Sequence, residues 1–185
     1  MKKVLSLILL LFIGIATMQA QKDVTTFLGI PVDGTKVALR QKLIAKGFKV
    51  VPGEDCLKGE FNGEPVYIMI QTVKNKVWRL CVWDQNNRTE SQIIIRFNTL
   101  INQFENNSRY CYFEGSNTEI PEKENLSYEI SANNKQYEAC FFQAENEEDV
   151  TANKMVWFTI GKSLGDYHII MYYENGYNKA NGQDL

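Results

Sequence analysis

Histidine occurs once in the 185 residues, at His168, and the four cysteines, Cys56, Cys81, Cys111 and Cys140, stand far apart with no Cys-x-x-Cys. That spacing excludes the usual zinc-ligand patterns. Basic residues are not in excess either, with 20 Lys and Arg against 22 Asp and Glu, and no basic run is interleaved with aromatic residues. Nucleic acid is therefore not an expected partner. Gly161-Lys162-Ser163 ends like a phosphate-binding loop but lacks the preceding glycine spacing, and reads as a turn. The acidic stretch Glu145 to Asp149 lacks the alternating Asp/Asn ligands and central glycine of a calcium loop, and reads as a solvated tip. Asp166 could orient His168 only across two residues of one strand, with no Ser or Cys motif nearby to activate. No catalytic residue, metal or cofactor is assigned.

One apolar run does stand out. Lys2 and Lys3 precede Val4 to Ile15, and Met18-Gln19-Ala20 offers a cleavage site before Gln21, so residues 1–20 read as an export signal. The run falls short of the ~20 residues that a bilayer span needs, and no other stretch is longer, so no membrane span is expected after cleavage. Removing the two signal lysines leaves 18 basic against 22 acidic side chains, a net of −4. The expected location is the periplasm or the exterior. An oxidising compartment permits disulfides, and pairing within each half, Cys56 with Cys81 and Cys111 with Cys140, is the simplest arrangement if any form. The competing reading makes all four small buried hydrophobes.

The element order predicts an α+β fold in two parts, 21–86 and 87–176, followed by a flexible tail at 177–185. Asp33-Gly34-Thr35 can cap a helix whose Val37, Leu39, Leu43 and Ile44 fall along one side, and Gly47-Phe48 suits its end. Asn62-Gly63 is the strongest hairpin signal in the chain, between Leu57–Phe61 and Glu64–Gln71. A turn at Lys74-Asn75 leads into Lys76–Trp83. Beyond Gln85–Arg88, Thr89 and Gln92 make a capping box for a helix with Ile93, Phe97, Leu100, Ile101 and Phe104 at helical spacing. Strands are then expected at Arg109–Phe113, at Leu126–Ile130 paired with Gln136–Phe142, at Lys154–Ile160 and at Asp166–Tyr173. Each half thus reads as a helix plus an antiparallel meander, which suggests an internal duplication.

A helix introduced by Gly34-Thr35, closed at Gly47-Phe48 and followed twice by a meander resembles the tandem helix-plus-sheet architecture of the β-lactamase inhibitor protein. A single copy resembles the small outer-membrane assembly lipoproteins, although no lipid-bearing Cys follows the signal here. The signal and Thr35–Phe48 are also similar to small exported proteins of Gram-negative bacteria.

Aromatic residues are abundant, with six Phe, Tyr and Trp in 21–88 and fifteen from Thr89 onward. Phe141-Phe142, Trp157-Phe158 and Tyr172-Tyr173 are neighbours, so on strands they send rings to both faces of a sheet. One face belongs under the helices. The other is the expected binding surface, carried by Tyr67, Arg79, Trp83, His168 and Tyr172, which alternate away from Val66, Ile68, Trp78, Leu80 and Ile169. The expected function is a non-enzymatic module that holds a protein or peptide of the cell envelope. The alternative is a structural or assembly factor of an envelope complex.

Overall fold

A computed structural model describes residues 23–113, 115 and 117–182. The export signal expected at residues 1–20 lies outside them. The chain opens with a small hairpin, β1 (Thr26–Phe27) and β2 (Ile30–Pro31), turned by Leu28 at φ 52° and Gly29 at φ 75°. Helix α1 (Lys36–Ala45) starts at Thr35, whose hydroxyl accepts the Ala38 N–H at 3.3 Å. It stops where Gly47 takes φ 104° and the Phe48 N–H bonds back to the Leu43 carbonyl at 3.2 Å, which is a Schellman stop. Only Leu39 and Leu43 of α1 are buried. Val37 and Ile44, expected on the same side, are exposed.

Strands β3 (Lys49–Val50), β4 (Leu57–Phe61), β5 (Glu64–Val73) and β6 (Lys76–Asp84) follow as a meander. Asn62-Gly63 and Lys74-Asn75 both place their two central residues at positive φ, which matches the right-handed twist of the strands they join. Helix α2 (Glu90–Glu105) begins with the Gln92 carboxamide accepting the Thr89 N–H at 3.0 Å. After β7 (Tyr110–Cys111), helix α3 (Leu126–Ala132) precedes β8 (Glu138–Gln143), β9 (Met155–Ser163) and β10 (Asp166–Glu174).

The segment Leu126–Ile130 is therefore helix, not the expected strand. Leu, Tyr and Ile at alternate positions suit a strand, but Leu126 and Ile130 also lie four residues apart and share a helix face. Leu126 is buried and Tyr128 is exposed. The Asn125 side chain caps the helix by accepting the Tyr128 N–H at 3.0 Å, and the Glu90 carboxylate accepts the Leu126 N–H at 2.8 Å.

Eight strands form one antiparallel sheet in the order β3-β4-β5-β6-β10-β9-β8-β7. Each half contributes four strands, and the last strand of one pairs with the last of the other, from Ile170 opposite Trp83 to Glu174 opposite Arg79. Even the connection at 85–88 is tied down, since Arg88 and Tyr167 exchange backbone bonds of 2.8 and 3.0 Å. At the far edge, the Asn117 side chain accepts the Cys140 N–H at 2.8 Å and donates to the Cys140 carbonyl at 3.2 Å. The chain that leaves β10 is also anchored, through Asn175 and into the expected tail at Asn178. Buried Asn175 donates through Nδ2 to the Val32 carbonyl, and Asn178 donates through Nδ2 to the Asp33 carboxylate and the Val77 carbonyl.

All three helices put apolar side chains into a single core on one face of this sheet. Leu39 and Leu43 of α1, the Ile93, Phe97, Leu100, Ile101 and Phe104 series of α2, and Leu126 of α3 meet Ile68, Leu80, Phe141, Phe158, Ile169 and Met171. At the β6 end of the core, buried Asp84 accepts from Arg88 at 2.7 Å and from Arg96 at 3.3 Å.

Candidate functional site

The face turned away from the helices follows from strand alternation. In β5, Val66, Ile68 and Ile70 go into the core, which leaves Tyr67, Met69 and Gln71 outward. The same alternation sends out Arg79, Cys81 and Trp83 from β6, and His168, Ile170 and Tyr172 from β10. It sends out Trp157 and Thr159 from β9, and Cys140 and Phe142 from β8. Pairing registers then line these side chains up in rows across the strands. One row runs Tyr67, Trp83, Ile170, Thr159, Glu138. The next runs Met69, Cys81, Tyr172, Trp157, Cys140, and a third begins Gln71, Arg79, Glu174.

Tyr67, Arg79, Trp83, His168 and Tyr172 thus share one face, as the pattern of alternation predicts, while Val66, Ile68, Leu80 and Ile169 are wholly buried on the other. Trp78 departs from the expectation. The β5–β6 register shifts after Gln71, which pairs with Arg79, while Thr72 pairs with Val77, so Trp78 occupies a bulge. Its ring is half-buried and lies 4.1 Å from the Arg79 guanidinium instead of entering the core.

Arg79 is the electrostatic centre of the face. Its guanidinium is flanked by Trp78 and, at 4.6 Å, by the Tyr172 ring, and it ion-pairs with Glu174. Glu174 is 2 % exposed and also accepts the Trp157 indole N–H at 2.8 Å. Trp157 in turn stacks on Tyr172 with centroids 4.2 Å apart. A second ring pair, Tyr67 and Trp83 at 5.5 Å, sits one row away, and Met69, 36 % exposed, stands beside both. Trp157 and Glu174 were missed by sequence reasoning. Trp157 was recoverable, because it alternates with buried Val156 and Phe158. Glu174 had no signal, since an acid at a strand end normally reads as solvated.

Burial governs the titratable groups here. It pushes the Cys81 thiol up to about 11, against the opposing influence of Arg79 and a hydrogen bond with Tyr172, so Cys81 is un-ionised and poorly nucleophilic at neutral pH. Cys140 and Tyr172 are raised by burial as well. His168 is held below the usual imidazole range by burial, which outweighs the opposing pull of Asp84. Its imidazole rests on Gly161 across the β9–β10 pair, where an added Cβ would lie 2.7 Å from Nε2. Asp166 does not orient it; its carboxylate accepts from the Asn87 amide at 3.3 Å.

All four cysteines are free thiols. Cys81 and Tyr172 are paired positions, as are Cys140 and Trp157, so these two thiols fill space between the rings of the face. Cys111 pairs with Phe142, two residues along β8 from Cys140, and a diagonal of that kind spans about 7–8 Å, beyond ordinary disulfide reach. Among the described residues no group of three or more His, Cys, Asp or Glu side chains gathers closely enough to hold a metal ion. The acidic stretch folds as a short 3-10 turn, Glu147–Asp149, with the Asn146 side chain accepting the Asp149 N–H. No helix among the described residues is long and apolar enough to cross a membrane. The chain matches no protein-family model, and no curated protein or solved structure was found to match it.

Proposed function

We propose that the protein is an exported, non-enzymatic binding module that holds a protein or peptide of the cell envelope on the outward face of its sheet. One observation carries this reading. Tyr67, Trp83, Trp157 and Tyr172, with Arg79 among them, lie on one continuous surface opposite all three helices, and none of these rings is needed to seat a helix. Tyr and Trp suit such a surface because they bring large contact area at little rotamer cost, with a polar edge for hydrogen bonds. Their rows are set by backbone pairing, so little ordering remains to be done on association. The export signal read at residues 1–20 supports an envelope location.

Affinity capture from envelope extract, followed by titration of the captured partner, tests the proposal. Trp83→Ala and Tyr172→Ala should each weaken binding at least tenfold while leaving the fold intact. Unchanged affinity in both would show that the surface is the wrong one. A second reading, a structural or assembly factor held permanently in an envelope complex, draws on Phe113. That side chain is 63 % exposed yet lies against Phe142, with centroids 5.5 Å apart, and so extends the face past its edge strand. Native-size analysis separates the two, because recovery of free monomer alone contradicts the second.

A further inference from the structure

On the helix side of the sheet, a cleft of 390 Å³ opens between the β1–β2 hairpin, the β4–β5 turn and the C-terminal part of α2. Leu28, Phe61 and Phe104 give it the apolar surface that solvent reaches, and Leu100, Met171 and Tyr173 are sealed beneath them. Its walls are braced from two directions. The Gln143 carboxamide accepts the Thr26 N–H at 2.6 Å and donates to the Thr26 carbonyl at 2.7 Å and to the Tyr110 hydroxyl at 3.2 Å, which ties the first hairpin to β8. Across the rim, Asn62 donates to the Gln103 carboxamide at 2.7 Å. A cleft of this size, apolar along one side and braced by hydrogen bonds, has the form of a small-molecule site.

Its charge is one-sided. Arg109 lines the mouth, is exposed, and has no ion pair for its guanidinium among the described residues. Glu60, the other charged lining residue, precedes Phe61 in β4, so alternation turns its side chain toward the opposite face. The other cation lining the adjoining cleft, Lys154, is committed to Asp23 at 2.7 Å. Glu145 and Asp149 border that adjoining cleft together with Arg109 and set a limit on how much negative charge the mouth accepts.

We propose that this cleft binds a small monocarboxylate with an unbranched alkyl tail, the tail lying against Leu28, Phe61 and Phe104 and the carboxylate on the Arg109 guanidinium. A planar, forked donor suits a carboxylate, and a single unpaired cation flanked by acids matches one negative charge better than the two of a phosphate monoester. The tail gains the burial that water denies it.

The test is calorimetric titration of decanoate into the full chain. Saturable one-to-one binding is expected, weakened at least tenfold by Arg109→Gln. Decanol should bind the parent and Arg109→Gln equally, and more weakly than decanoate binds the parent. Gln103→Trp, an exposed rim position that should not disturb folding, should abolish binding of both probes. Absence of saturable decanoate binding overturns the proposal, and so does equal binding by Arg109→Gln or by Gln103→Trp. Trp83→Ala should leave decanoate binding unaltered, which keeps this site's outcome separate from that of the outward face.

Discussion

The two faces of the sheet are made by the same strands, often by adjacent residues, yet they use rings in different ways. On the helix side, Phe141 and Phe158 stack with Phe104 in a purely apolar cluster, with centroids 4.7 and 5.7 Å from Phe104. On the outward side, Phe142, Trp157 and Tyr172, the neighbours of Phe141, Phe158 and Tyr173 in sequence, pack among Arg79, Glu174 and two thiols. Phe dominates where nothing polar can be satisfied, and Trp and Tyr dominate where an N–H or O–H has a partner or water. One face is specialised for cohesion. The other is held by polar pairing while part of its ring area stays accessible.

The sharpest way to break this contrast is Phe158→Ala. Phe158 is fully buried against Phe97, Phe104 and Phe141, and truncation should cost about 4 kcal/mol in chemical denaturation. Next in size is Glu174→Ala on the outward face. It strands the largely buried Arg79 and the Trp157 N–H, with an expected loss of about 3 kcal/mol, and replacing Arg79 and Glu174 together with leucines should recover much of it. If the double replacement is no better than the single one, the pair is not what rigidifies this face.

The smallest effect concerns pH. Because burial holds the folded His168 below the unfolded value of about 6.5, the unfolded chain binds the extra proton first. Stability should therefore fall as pH drops through the unfolded value toward the folded one, and level off below that. His168→Gln should flatten this slope between pH 7 and 5.5 in denaturation midpoints. An unchanged slope would place the titration elsewhere.

Much of this architecture was legible because turn chemistry and periodicity are local. Asn62-Gly63, Lys74-Asn75, the Thr89–Gln92 box and the Gly47-Phe48 stop each adopt the geometry their residues favour. The five residues expected on the binding surface share a face for the same reason, since alternation needs no tertiary information. What failed depended on partners distant in sequence. Leu126–Ile130 satisfies both periods, and Asn125 and Glu90 decide between them. Trp78 leaves the core face because of a register shift set by β5. The chain from Asn175 to Asn178 is fixed by amide contacts to Val32, Asp33 and Val77, and a glycine- and asparagine-rich stretch gives no warning of that.

The Asn117 amide that clasps Cys140 has one further consequence. Antiparallel sheets end in rows of unpaired donors and acceptors that can recruit a strand from another molecule, and β7, only two residues long, leaves most of β8 uncovered. By occupying both backbone groups of Cys140, a single side chain takes the place of a missing strand at the midpoint of that border. A strand from another molecule is thereby denied its central pairing position along that border.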